Sequence, residues 1–152
     1  MYQKEFTRLF NMIGKAQKMA LATSMNDRVT VRTMSFVIEN EKLYFQTDTN
    51  FIKFQQIKSN PLVAVCWNNI QFEGSCNILG HPFEPQNLFF QKAFKENYKN
   101  SFEKYSHLRN EIVVEILPIL VTVWGYDNGK PYREFFDFKN RHYHKEYYNI
   151  SD

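Results

Sequence analysis

Between Val29 and Gly74 the sequence sets Arg32, Ser35, Gln46, Thr47, Lys53 and Gln56 among three strand signals and one short helix signal. A phosphate monoester carries up to two negative charges and needs several hydrogen-bond donors. A lysine near a helix start supplies a point charge, an arginine supplies a planar fork, and hydroxyls and amides complete the shell. Residues of these types in this order describe a site for a phosphate-bearing cofactor. An arbitrary Arg and Lys are more often solvated surface cations, so what these two mean depends on the elements that carry them.

Those elements can be read from periodicity. Phe6, Leu9, Phe10, Ile13 and Ala16 recur at three- and four-residue steps, which predicts an amphipathic helix from Lys4 to Met19 whose end is weakened by Gly14. Met19 to Ser24 and Val29 to Ile38 read as a hairpin about Met25-Asn26-Asp27, and Glu39-Asn40-Glu41 turns the chain into a strand from Leu43 to Thr47. Asn50 to Ser59 suits a short helix, capped by Thr49 or Asn50 and stopped by Asn60-Pro61. Leu62 to Asn68 and Ile70 to Leu79 are two more strands, with Gly74 marking a bulge or a close backbone approach. Asn87 to Tyr98 and Phe102 to Arg109 read as helices. Ile112 to Leu117 and Ile119 to Tyr126 are strand-like, and Asn128-Gly129 is the strongest hairpin turn, returning the chain through Pro131 to Phe138. Arg141 to Tyr148, basic and aromatic, reads as a tail. Six or seven short strands with few helices predict a mainly β, antiparallel barrel with covering helices, since closing a sheet removes its edges.

Composition narrows the function classes. The 152 residues fit one domain, and 17% aromatic content supplies flat side chains for a core, an interface or a stacked ring ligand. A net charge of +3 can draw in a small anion but is too weak for a nucleic-acid footprint. Ile112 to Trp124, the most apolar segment, is interrupted by Glu115 and Pro118 and too short to span a bilayer. Cys66 and Cys76 have neither metal-site spacing nor the density of a disulfide scaffold and are expected as reduced core residues. With Lys4, Glu5 and Arg8 interrupting any leader-like run, a cytoplasmic protein is expected. His142-x-His144 offers two ligating rings on one strand face without a clear third ligand, so no metal is expected there.

Taken in order, the segments Leu21-Ala22-Thr23-Ser24, Val31-Arg32-Thr33-Met34-Ser35-Phe36, Leu43-Tyr44-Phe45-Gln46-Thr47-Asp48, Lys53-Phe54-Gln55-Gln56-Ile57, Asn60-Pro61 and Phe72-Glu73-Gly74 resemble the pyridoxamine 5′-phosphate oxidase-like family of FMN-binding split barrels. The resemblance covers about Met19 to Gly80 and implies a homodimer with FMN at the subunit interface. It implies cofactor contacts from Arg32 and from Thr33, Met34 and Ser35 along the isoalloxazine edge, from Gln46 and Thr47 at the end of the next strand, and from Lys53 to the phosphate. Gln56 falls at a position the family often fills with Gln, Asn69 at one that reaches the pyrimidine side, and Trp124 at one from which the facing subunit closes the site.

Two departures limit what carries over. Phe51-Ile52 stand where the family's oxidases place Ser-Arg before the phosphate lysine, and the Arg-x-His element that grips pyridoxamine phosphate has no match near Tyr132-Arg133-Glu134. Pyridoxamine phosphate is therefore not the expected substrate. What the resemblance implies is an oxidoreductase passing electrons from a nicotinamide donor, NAD(P)H, through flavin to a small acceptor. The alternative is a carrier of the same fold that holds flavin or haem without turnover; a deazaflavin, used by related barrels, is the other cofactor such a site could take in place of FMN.

Overall fold

The computed structural model describes residues 2–149. In chain order the elements are α1 (Tyr2–Ile13), β1 (Ala16–Met25), β2 (Arg28–Glu39), β3 (Lys42–Asp48), α2 (Ile52–Ser59), β4 (Leu62–Trp67) and β5 (Ile70–Gly80). A single 3-10 turn (Pro85–Asn87) then leads into α3 (Leu88–Asn97), α4 (Lys99–Tyr105), β6 (Glu111–Asp127), β7 (Lys130–Asp137) and β8 (His142–Tyr147). All strand pairs are antiparallel, in the order β3-β2-β1-β4-β5-β6-β7-β8. A further β3–β6 pairing closes the first six into a barrel. The expected mainly β split barrel with covering helices is what the chain forms, with eight strands.

Three hairpins tighten through pairs of left-handed residues. Asn26 and Asp27 (φ 49° and 64°), Asn40 and Glu41 (51° and 62°), and Asn128 and Gly129 (50° and 81°) all place positive φ at both turn positions, the twist that suits a two-residue antiparallel link. Inside the barrel, Leu21, Phe36, Phe45, Phe72, Ile116 and Val121 form one core, which α1 joins through Phe6, Leu9 and Ile13. A second, smaller cluster lies on the outer face, where Phe90 and Phe94 of α3 cover Val37, Tyr44 and Val113. Strand β3 is thus covered on both faces, and Leu43 to Thr47 are all buried, Gln46 and Thr47 included.

Several boundaries differ from expectation. The first helix ends at Ile13 because Gly14 takes φ +85°, and Ala16 to Met19 belong to β1. Helix α2 starts at Ile52 with Phe51 in the cap position and no side-chain cap; Asp48 instead accepts a hydrogen bond from the Asn50 amide at 2.7 Å. The two strands expected on either side of Pro118 are one, because the ladder shifts register there: Gly74 pairs with Pro118 and Glu73 with Leu120. A bulge is where a strand tolerates a missing amide hydrogen. The expected tail, Arg141 to Tyr148, is instead strand β8 at the edge of the sheet, held by a full ladder to β7 and by Arg141 on Glu41 at 2.7 Å. Cys76 is buried as expected, whereas Cys66 faces outward on β4 and is exposed. Among the described residues no group of His, Cys, Asp or Glu is arranged to hold a metal, and no helix is long and apolar enough to cross a membrane.

Candidate functional site

Strand β2 carries the first anchor. Met34, Phe36 and Ile38 point inward to the core cluster, and Arg32, two residues earlier on the same face, reaches the mouth of the barrel. There its Nη1 donates to the Leu21 carbonyl at 3.2 Å and to Thr23 Oγ1 at 2.8 Å, and its Nη2 donates to Thr30 Oγ1. The two threonines in turn donate to Gln56 Oε1 at 2.5 and 2.7 Å, and Gln56 Nε2 donates to the Arg28 carbonyl at 3.1 Å. Gln56 is therefore buried with both ends of its amide spent on the barrel, where it braces the hydroxyls that orient Arg32.

The second anchor comes from α2. Lys53 Nζ lies 3.4 Å from Thr47 Oγ1 and 4.7 Å from the centre of the Phe51 ring. Burial lowers the pKa of Lys53, and nearby Arg32 lowers it further, against the pull of Glu111 and Asp48. Burial also lowers that of Arg32. Neither cation has a carboxylate within ion-pair distance among the described residues. Two partly buried, neighbouring cations with no carboxylate in direct contact leave a local positive field that an anion relieves.

These anchors border a cleft of about 410 Å³. One wall is β2 at Thr33, Met34 and Ser35, and the floor is β3 at Gln46, Thr47 and Asp48. The opposite wall is apolar, from Phe94 of α3, Tyr105 at the end of α4 and Leu108 in the turn after it, with Phe51 and Lys53 at one end. The cleft exists because β2 and β3 diverge: their ladder runs only from Val37↔Tyr44 to Glu39↔Lys42, so the earlier part of β2 presents an edge that no strand covers among the described residues. The Tyr98 hydroxyl donates to the Phe36 carbonyl at 2.9 Å where the split begins. Gln46 Oε1 accepts from the Ser106 hydroxyl at 2.7 Å, which orients the amide and leaves Nε2 to donate elsewhere. A larger groove of about 660 Å³ between α3 and the β2–β3 turn mixes Lys15 and Lys92 with Glu39 and Glu96 and lacks such a cation pair.

Of the residues singled out from the sequence, Thr33, Met34, Ser35, Gln46, Thr47 and Lys53 line one cleft, with Arg32 beside it. Asn69 and Trp124 are elsewhere, and they meet each other: the Trp124 amide donates to the Asn69 carbonyl at 3.1 Å and Asn69 Nδ2 donates back to the Trp124 carbonyl. The Trp124 ring is half-exposed and lies 5.4 Å from the guanidinium of Arg133. Within one chain these are two separate poles. Sequence reasoning missed Glu111, which lines the cleft directly across the ladder from Asp48. Burial above all, then Asp48, pushes its carboxyl up to about 7 despite Lys53. It also missed Tyr105, which ends α4, and Ser106, which caps it, because that end of the helix meets β3 only in three dimensions.

No protein-family model and no curated protein matches the chain. Solved structures do match in fold. General Stress Protein 26 from Bacillus anthracis shares 23% identity at TM-score 0.59, covering 80% of this chain and 92% of that one. A pyridoxamine 5′-phosphate oxidase-related, FMN-binding protein from Nostoc punctiforme shares 17% at TM-score 0.60, covering 98% and 93%. The heme storage protein HutZ from Vibrio cholerae shares 15% at TM-score 0.65, covering 84% and 95%. The fold is that of the pyridoxamine 5′-phosphate oxidase-like split barrels.

Proposed function

We propose that the chain is an FMN-binding flavoprotein that forms a homodimer and acts as an oxidoreductase, taking electrons from a nicotinamide donor and passing them to a small acceptor. The observation that carries this reading is the Arg32 and Lys53 pair, two partly buried cations without a carboxylate in ion-pair range at the end of an apolar cleft. A phosphate monoester supplies the missing negative charge, and the cleft beyond it suits a flat ring. The fold shared with an FMN-binding protein points the same way.

In this reading Lys53 and Arg32 hold the phosphate, Thr47 steadies Lys53, and Gln56 keeps Arg32 in place through Thr23 and Thr30. The ring edge lies against Thr33, Met34 and Ser35, with Gln46 Nε2 donating to it. The exposed Phe51 and Ile52, which stand in place of a hydroxyl and a guanidinium, leave the phosphate to fewer donors. Asn69 and Trp124 serve the site of the other subunit, because they do not reach their own. The flavin, when bound, supplies the hydride and electron chemistry. The chain's part is to bind, to orient, to exclude water with Phe94, Tyr105 and Leu108, and to place donors against the ring where negative charge builds on reduction. Small molecules are the partners; neither nucleic acid nor membrane is needed.

A second reading is favoured by the likeness to a heme storage protein: a carrier that holds flavin or haem without turnover. A visible spectrum and mass spectrometry of the purified protein separate the two cofactors. A yellow protein carrying FMN and bleached anaerobically by NADH or NADPH is the expected result. A yellow protein inert to both is a flavin carrier, a Soret band indicates haem, and a colourless protein that refuses micromolar FMN ends the flavin reading.

A further inference from the structure

Glu111 and its ladder partner Asp48 are the two carboxylates in the cleft, and the flavin reading uses neither. Glu111 opens β6, is only 8% exposed, and faces Asp48 across the β3–β6 ladder. Its carboxyl makes no hydrogen bond and no ion pair among the described residues, although it lines the same cleft as Lys53. We propose that Glu111 makes anion binding in this cleft proton-coupled: a phosphate-bearing ligand binds the Arg32 and Lys53 pair while the Glu111 carboxyl is protonated, and an ionised Glu111 must take up one proton on binding. This rests on the flavin reading and adds a control to the same site.

The charges around Glu111 explain why. Asp48 on β3 repels its carboxylate, Lys53 on α2 attracts it, Arg32 on β2 acts on Lys53, and the Tyr105 phenol at the end of α4 shares the cleft. Within the chain's own surroundings, burial already holds the carboxyl to about 7, with Lys53 the one influence favouring ionisation. A dianionic phosphate seated on Lys53 cancels that attraction and adds a repulsion of its own. The carboxyl is then neutral in the complex across a wider pH range. The proton comes from solvent and goes to a Glu111 oxygen; no bond to the ligand is made or broken.

The test is isothermal titration of the purified protein with FMN from pH 7.5 to 9, where the ligand's phosphate is already dianionic. Runs in two buffers of different ionisation enthalpy count protons. The dissociation constant is expected to rise by up to tenfold per pH unit with close to one proton taken up, and Glu111→Gln should abolish both effects. Deprotonation of Lys53 would also weaken binding at high pH, but that slope would survive Glu111→Gln. Asp48→Asn is the second variant, compared with wild type in a separate series from pH 6 upward because the Glu111 carboxyl sits at about 7: removing the Asp48 repulsion should move the onset of weakening to lower pH. A wild-type affinity constant within twofold from pH 7.5 to 9, a slope retained in Glu111→Gln, or an onset unmoved in Asp48→Asn overturns the proposal while leaving FMN binding intact. Failure of wild-type protein to bind FMN at any pH overturns the flavin reading and the proposal with it.

Discussion

Lys53 and Arg32 owe their character to what does not stand beside them. Each is partly buried, each lacks a carboxylate in ion-pair range, and Arg32 raises the cost of charging Lys53. Replacing Lys53 with Ala is expected to weaken FMN binding by about 1.5–3 kcal/mol, roughly tenfold to a hundredfold, the scale of one charge-assisted contact. Fluorescence quenching of FMN on titration measures it, and an unchanged affinity would make Lys53 an ordinary surface cation. Glu111 carries a separate prediction about stability. Its carboxyl is held at about 7 in the folded chain against an ordinary value of 4.5, so below pH 4.5 the group costs nothing. Between those values the folded state keeps a proton that the unfolded state has released, and stability falls as pH rises. Glu111→Gln should therefore leave urea stability unchanged near pH 4.5 and raise it by about 1–3 kcal/mol at pH 8. Gain at both pH values alike would show that the carboxyl is not the cause.

Strand β6 is where backbone chemistry decides the fold. An added Cβ at Gly74 would lie 2.6 Å from Ile116 Cγ2 and 2.9 Å from the Leu117 carbonyl oxygen, and the latter is backbone that cannot step aside. Gly74→Ala should cost about 1–3 kcal/mol in chemical denaturation, the usual range for overpacking; a loss under 0.5 kcal/mol would mean that the bulge yields easily. The bulge was legible as a glycine in a strand pattern, but that it also admits Pro118 was not, because the two residues are neighbours only through the β5–β6 ladder. The same division runs through the rest. Asn26-Asp27 and Asn128-Gly129 announce their turns by residue type, and six of the cleft residues sit on one short stretch of sequence. Glu111 could be matched to Asp48 only once the β3–β6 register was known, and β8 looked like a tail because its ladder partner is β7 and its outer edge is open. Cys66 and Cys76 alternate correctly within their strands, yet which face is covered depends on packing. A maleimide reagent should label Cys66 within minutes and Cys76 only on unfolding, as read by mass spectrometry, since burial also pushes the Cys76 thiol up to about 12.

At the level of the whole molecule, one face of the barrel exposes a cluster of apolar side chains. Val29 and Val31 on β2 and Leu62 on β4 are more than half exposed, and Val29, Leu62 and Ile119 border a common groove. Patches of this kind mark association surfaces. In the proposed homodimer, Leu62→Asp should convert the dimer to monomer in analytical ultracentrifugation and release FMN with it; a variant that stays dimeric would move the interface elsewhere. Strand β6 bears on the proposed homodimer. Glu111 stands at its first residue and Trp124 thirteen further on, a separation of up to about 43 Å along the strand at the rise of an extended chain, more than a mononucleotide spans. A ligand touching both poles would be clasped by the root of one such strand and the tip of another. Its retention would then follow the law of mass action for the protein itself: the colour of a solution would fade on simple dilution, and return when the same sample is concentrated.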